Sequence, residues 1–485
     1  MIIERLLDAS RLACLRRRLQ RQLAHAPEQG LISITLDLGA ASEDWLTTDL
    51  ARADTFYWAQ PGGGELARND EVRQKAPDYR LALGRAMIFS TVGVARFTAL
   101  QVAFNGLLPV WQHDDSEQTG IIAAAHIGFA FEDEGQDEHP NAQLCVPTVL
   151  LQNQGGYASA TFSCTARDGH NAIQRWSDEL RASQNLRQPM NNRNTWVRQA
   201  TPLADRAFLA RARAALNDIE KGTIEKVVLT RCVQIVAEHA IAVTPLLAAL
   251  AYRHPECTIY GIGQSGSAFV GATPERLVSL VKGIVHADAL AGTAWLSPAS
   301  ALAQAGSLQL QGNKNSHEQQ LVVDAVRTAL VPLCASINPP QTPEIMQVRE
   351  LQHLRTRITG RLRPESDLFD LLAHLHPTPA VGGTPTTAAR QWLQAHGEQR
   401  ASWYTGGIGW IDRHGDGEIA VPLRCARIKG TQAELFAGAG IVAGSDPEQE
   451  LAETEAKLGA IIDALRHATR RGPCSAPGSG RTGTQ

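Results

Sequence analysis

The chain has 485 residues, 44 % of them apolar and 20 % charged, with a formal net charge of −3. That length suits one large domain or two smaller ones, and the composition supports a sizeable core and excludes wholesale disorder. Balanced charge gives no electrostatic reason to expect nucleic acid as a partner, and no run approaches the roughly 20 apolar residues of a membrane helix.

Residues 1–25 are expected to form one amphipathic surface helix, with Leu6, Leu7, Leu12, Leu15 and Leu19 on its apolar side. The basic stretch Arg16-Arg17-Arg18 lacks the apolar core of a secretion signal, and Glu4 and Asp8 argue against a transit peptide. Residues 30–165 carry strand signals such as Ile32-Ser-Ile-Thr-Leu, Phe56-Tyr-Trp and Tyr157-Ala-Ser-Ala-Thr-Phe, separated by Gly62-Gly63-Gly64 and Gly155-Gly156. The polar segment 183–199 is expected to link an N-terminal β-rich part (1–195) to a C-terminal part (200–468). In the C-terminal part a helix begins near Asp205 and stops near Gly222, and the strand Ile224–Arg231 follows. Helices are expected near His317–Val331, Leu368–His374 and Ala388–Ala395, and strands near Ile408–Ile411, Ile419–Ile428 and Ala433–Ala437. A last helix runs from about Pro447 to His467, and the Gly/Pro/Ser-rich tail 472–485 is expected to be disordered. This mixture lacks βαβ alternation and predicts an α+β fold.

Several motifs are decoys. Gly261-Ile-Gly263-Gln-Ser-Gly266 has dinucleotide-site spacing, but strand-type residues follow it where a helix should open, so it predicts a β-hairpin turn. No phosphate-binding P-loop is present, and His317-Glu318 lacks the second histidine of a zinc protease helix. The eight cysteines form no C-x-x-C pair and no cluster with histidine, which predicts free thiols in a reducing cytoplasm.

Other residues are better placed for chemistry. Period-two alternation puts Lys226 on one face with Ile224, Val228 and Thr230. A lysine between apolar neighbours is partly stripped of water and is a candidate base, although an edge-strand lysine that discourages aggregation has the same pattern. In the last helix Glu450, Glu453 and Lys457 fall within about 60° of one another, beside the apolar stripe of Leu451, Leu458, Ile461 and Leu465. Two carboxylates and an amine on one stripe suit a hard cation and an anionic ligand held together, and equally an ordinary solvated face with a Glu453–Lys457 pair. Glu318 is expected in the first turn of its helix, where an acid commonly just complements the dipole. Gly438 and Gly440 end a strand and either allow backbone amides to approach a carboxylate or form a tight turn.

Six segments, in order, resemble the chorismate-utilising enzymes, the family of isochorismate, salicylate, anthranilate and aminodeoxychorismate synthases. They are Lys226-Val-Val-Leu-Thr-Arg, Gly271-Ala-Thr-Pro-Glu275-Arg-Leu, Leu290-Ala-Gly-Thr293, His317-Glu318 with Leu321-Val322, His376-Pro-Thr-Pro-Ala-Val-Gly-Gly, and Phe436-Ala-Gly-Ala-Gly-Ile-Val running into Glu450-Leu-Ala-Glu453-Thr-Glu-Ala-Lys457. The match covers roughly residues 205–467, with weaker likeness at Phe56-Tyr-Trp and Gly128-Phe-Ala-Phe. The isochorismate branch fits best, through those segments and Gly407-Ile-Gly-Trp410. Two departures are Gly312-Asn-Lys-Asn-Ser before His317, and Pro422 in the strand leading to Arg424.

The resemblance implies large layered β-sheets flanked by helices around a central active-site cleft. It implies chorismate as substrate and Mg2+ as cofactor, held by Glu318 and Glu453. Lys226 is implied as the base that activates water at ring carbon C2, and Glu275 as the acid that protonates the departing C4 hydroxyl. Thr293, Arg424, Lys457 and the amides of Gly438 and Gly440 are implied to hold the substrate, with His376 lining the site. Ala291 stands where aminodeoxychorismate synthases carry a nucleophilic lysine, so that chemistry is closed and no glutamine amidotransferase subunit is expected. A monomer or homodimer is expected. The isochorismate branch feeds siderophore, menaquinone or salicylate synthesis, and the sequence does not choose among them.

Overall fold

The computed structural model describes residues 2–40, 50–61, 78–134, 140–184, 194–264, 266–295, 313–340, 342–348 and 351–470. The triple glycine at 62–64, most of the polar linker and the tail 472–485 lie outside them. Within them are two large sheets, one of 13 strands and one of 10, almost wholly antiparallel. The α+β fold with layered sheets and flanking helices is therefore as expected.

The sheets draw strands from both sides of residue 195. In the first sheet the N-terminal strand Thr55–Ala59 pairs with Thr258–Gln264, Trp58 opposite Tyr260. In the second, Ala124–Phe129 pairs with Gly407–Asp412, Gly128 opposite Ile408. Gly128 lies directly beneath the Trp403 ring, where any side chain would overlap it.

Three apolar clusters follow the layers. One joins the first sheet to helices carrying Leu15, Trp176, Leu247 and Ile461. A second joins the other sheet to helices carrying Phe104, Val322, Leu372 and Trp392. The third contains Trp58, Tyr260 and Phe269 from one sheet with Trp403 and Ile408 from beside and within the other. Each such large side chain contributes roughly 1.5–3 kcal/mol when fully buried. No helix among the described residues is long and apolar enough to cross a membrane.

The details correct several expectations. The N-terminal segment forms two helices, Ile2–Leu6 and Ala9–Leu23, because the Asp8 side chain accepts from Ser10 N and starts a second helix. The glycine decoy is a hairpin of Thr258–Gln264 and Ser267–Thr273. The strand expected over Ile419–Ile428 is two strands, Gly417–Ala420 and Cys425–Lys429, and they belong to different sheets. Pro422, which has no N–H for a ladder, stands in the break. Gly438 and Gly440 lie inside the strand Gln432–Val442, so they are neither a strand end nor a turn.

Candidate active site

The chain leaves the first sheet after Thr273 and joins the second at Arg276; it returns between Ala420 and Cys425. These two crossovers lie side by side. Val421 N donates to Glu275 O (3.0 Å), Ala272 N to Arg424 O (3.2 Å), and Thr273 Oγ1 to Val421 O (2.6 Å). Glu275 sits on one crossover and Arg424 on the other. Arg424 has φ 45°, a left-handed conformation that few non-glycine residues adopt, and it keeps its place through the hydrogen bonds around it. Both side chains line one cavity with Lys226, Thr293, Glu318, Gly438, Gly440, Glu453 and Lys457.

Lys226 begins the strand Lys226–Ala237, which pairs with Gln432–Val442 on one side and with the short strand Gly383–Thr384 on the other. It is therefore no edge lysine, and its side chain is 1 % exposed. Val228 N donates to Gly382 O, so alternate residues from Lys226 onward turn their backbone groups away from Gln432–Val442. Opposite them, Gly440 pairs in register with Val228 and Gly438 with Thr230, and both glycines turn their backbone groups to the far edge. The next strand, Cys425–Lys429, reaches only as far as Phe436 along that edge. Gly438 O accepts there from Lys457 Nζ (2.8 Å). The N–H groups of Gly438 and Gly440 share this open edge.

Gly440 is also required by space. A Cβ there would lie 2.6 Å from Glu318 Oε1 and 2.9 Å from Lys226 Cε.

Glu318 projects from the helix Asn313–Leu330, in its second turn rather than the first. Glu450, Glu453 and Lys457 come from the helix Pro447–Arg470. Each glutamate meets a lysine: Glu318 with Lys226 (2.7 Å), Glu453 with Lys457 (2.6 Å), and buried Glu450 with Lys314. Lys314 belongs to the segment noted as a departure from the family pattern. Burial opposes ionisation of Glu318, but Lys226, reinforced by Lys314 and Lys457, holds its carboxyl below the ordinary range. Two carboxylates in a cavity, with room kept by Gly440, are a donor set of hard oxygens suited to a magnesium ion that takes its remaining ligands from water and substrate.

Glu275 is the opposite case. It is 4 % exposed, and burial lifts its carboxyl from an ordinary 4.5 to about 8, with Lys226 only partly offsetting the effect. It therefore carries a proton at neutral pH.

Of the ten expected site residues, nine line the cavity; His376 does not. Its ring is packed against Phe129 (5.0 Å between centroids) and Phe131 (5.8 Å), and Nε2 donates to Thr405 O (3.0 Å). Burial lowers its pKa to about 3, so it is a neutral core residue behind the wall. Sequence reasoning missed His353, which does line the cavity. Arg424 donates to its Nε2 (2.9 Å), and Thr293 Oγ1 lies 3.3 Å from its Nδ1. Burial and the neighbouring Arg424 hold His353 neutral. No sequence signal marked it; its role comes from its place directly opposite Thr293 in the strand Leu351–Leu362.

A cavity at a paired crossover of two large sheets, lined by lysine, arginine and acid, has the chemistry to hold a small polyanion. The chain belongs to the chorismate-binding enzyme family, whose pattern matches residues 18–466. It is 33 % identical over 422 residues to the isochorismate synthase of salicylate biosynthesis from Pseudomonas aeruginosa, covering 84 % of each chain. It is 36 % identical over 259 residues to an isochorismate synthase of Bacillus subtilis, covering 53 % of this chain and 55 % of that one. Its fold is that of the menaquinone-specific isochorismate synthase of Escherichia coli, with a TM-score of 0.74 at 24 % identity over 94 % of this chain and 99 % of the other.

Proposed function

We propose that the protein is an isochorismate synthase, acting on chorismate in the cytoplasm with magnesium held by Glu318 and Glu453. The observation that carries this reading is the lysine and the buried, protonated carboxyl of Glu275 facing one cavity that also holds anion-binding groups. Similarity to two isochorismate synthases over long stretches supports it.

The residues divide the work. Lys226 takes a proton from a water molecule, whose oxygen bonds to C2 of the ring. Both ring double bonds shift by one position, from C1=C2 and C5=C6 to C1=C6 and C4=C5, and the C4–O bond breaks. Glu275 gives its proton to the departing hydroxyl, which leaves as water. Turnover leaves Lys226 protonated and Glu275 ionised, and proton exchange with solvent resets both. The two steps consume one water and release one, so the net reaction is an isomerisation. Arg424, oriented by His353, presents a planar two-pronged donor to one substrate carboxylate. Lys457 and the open amides of Gly438 and Gly440 suit the other. A magnesium ion would be held by Glu318 and Glu453, would supply positive charge for the ring carboxylate, and would free Lys226 and Lys457 from their ion pairs with those glutamates.

The direct test is to incubate the purified protein with chorismate and magnesium and follow products by proton NMR. Isochorismate accumulates on this reading. Pyruvate and salicylate appearing in equal amounts from the earliest times would instead make it a salicylate synthase. An amino product formed with ammonium would instead make it an ammonia-using anthranilate or aminodeoxychorismate synthase.

A further inference from the structure

The turn between the helix Val243–Arg253 and the strand Thr258–Gln264 holds a group that the proposed reaction does not use. Cys257 N donates to His254 O (3.0 Å) and closes the turn, bringing His254, Glu256 and Cys257 to one point. Among the described residues this is the one group of three or more potential metal ligands whose donor atoms all lie within 4.8 Å of one another. None of the three lines the active-site cavity. No cysteine–histidine cluster was expected, yet His254 and Cys257 stand three residues apart and this turn brings their donor atoms together with that of Glu256.

We propose that His254, Glu256 and Cys257 bind a divalent cation of the zinc class. Three observations carry this. His254 is fully buried, yet neither ring nitrogen has a hydrogen-bond partner. A core histidine ordinarily satisfies at least one nitrogen, and an orphaned one costs roughly 1–3 kcal/mol. The spacing is also close to a coordination shell. Glu256 Oε1 lies 3.6 Å from His254 Nδ1 and 3.8 Å from Cys257 Sγ. Metal arms of about 2.0 Å to nitrogen or oxygen and about 2.3 Å to sulfur, at tetrahedral angles, set donor atoms about 3.3–3.5 Å apart. Finally, a thiolate, an imidazole and a carboxylate together select a borderline cation over magnesium. Burial keeps the Cys257 thiol protonated in the free protein, so binding releases its proton to solvent. Glu256 is partly exposed and gives the ion a way in, with water completing the shell.

The ion would pin the start of the strand Thr258–Gln264. That strand's hairpin partner, Ser267–Thr273, leads directly into Glu275. The site is thus a clamp behind one wall of the active site.

The test is titration of the chelator-treated full chain with zinc, and with cobalt as a spectroscopic probe. Wild type takes up one zinc per chain with a rise in melting temperature, and cobalt gives a thiolate-to-metal charge-transfer band. The band is unchanged in a Glu318→Gln/Glu453→Gln protein, which separates this site from the proposed magnesium site. Cys257→Ser abolishes the band. Glu256→Ala, a change at a partly exposed residue that the fold tolerates, weakens zinc binding at least tenfold. Absence of the band in wild type, or zinc affinity unchanged in Glu256→Ala, overturns the proposal.

Discussion

Replacing Glu275 by glutamine keeps the side chain's shape and removes its titration. The native carboxyl titrates at about 8 against an ordinary 4.5. Between those values the native state holds one proton more than the unfolded chain, so wild-type stability falls as pH rises through this window. A gap of about 3.5 units at 1.36 kcal/mol each gives an upper bound of roughly 5 kcal/mol. Glutamine stays neutral throughout and escapes this loss. Glu275→Gln is therefore expected to be more resistant to urea than wild type at pH 9, with the advantage fading toward pH 5. Activity should move the other way. Loss of the proton donor lowers kcat/KM by roughly 10²–10⁴. Wild-type kcat/KM falls as pH rises through about 8, and this limb vanishes in the variant. Urea midpoints and kcat/KM measured from pH 5 to 9 on both proteins decide the matter. A wild-type rate that climbs through pH 8, or a variant whose stability tracks wild type across the range, would contradict a raised pKa and a proton-donating role for Glu275.

Three further outcomes are expected. Glu318→Gln and Glu453→Gln should abolish activity while circular dichroism and melting stay near wild type, and excess chelator should silence the wild type; full activity in chelator would remove the metal from the account. Gly440→Ala places a methyl against Glu318 and Lys226. Overpacking of about 1–3 kcal/mol should cut kcat/KM roughly 5- to 150-fold and raise the magnesium needed for half-activity, and wild-type kinetics would show that the cavity yields easily. His376→Ala should cost about 2–4 kcal/mol of stability through lost aromatic packing and the bond to Thr405, with KM for chorismate within about twofold of wild type; a large KM rise at unchanged stability would return His376 to the substrate.

Sequence alone made local features legible where one element decides them. The stripe of Glu450, Glu453 and Lys457 is visible from helical periodicity, and the hairpin at Gly261–Gly266 from the lack of a following helix. What stayed hidden depends on pairings far apart in the chain. Lys226 alone fits an edge strand; its burial comes from Gln432–Val442, some two hundred residues away in sequence. The break at Pro422 was visible, but its use was not: the chain changes sheets there and so aims Arg424 at the cavity. His376 was misplaced because its motif neighbours face the site while its own ring turns into Phe129 and Phe131. His353 carried no local signal, since its role comes from standing opposite Thr293 across two strands.

In the proposed mechanism Lys226 activates a water molecule that attacks C2 while Glu275 releases the C4 hydroxyl. Isotope tracing tests it most directly. Chorismate turned over by the wild-type enzyme in 18O-labelled water, with products analysed by mass spectrometry and NMR, should yield isochorismate carrying one label, at the C2 hydroxyl. In Lys226→Ala the labelled product should form at least roughly 10²-fold more slowly. Isochorismate whose C2 oxygen is unlabelled would mean that the hydroxyl migrates within the substrate, and Lys226 would not be the base for a water.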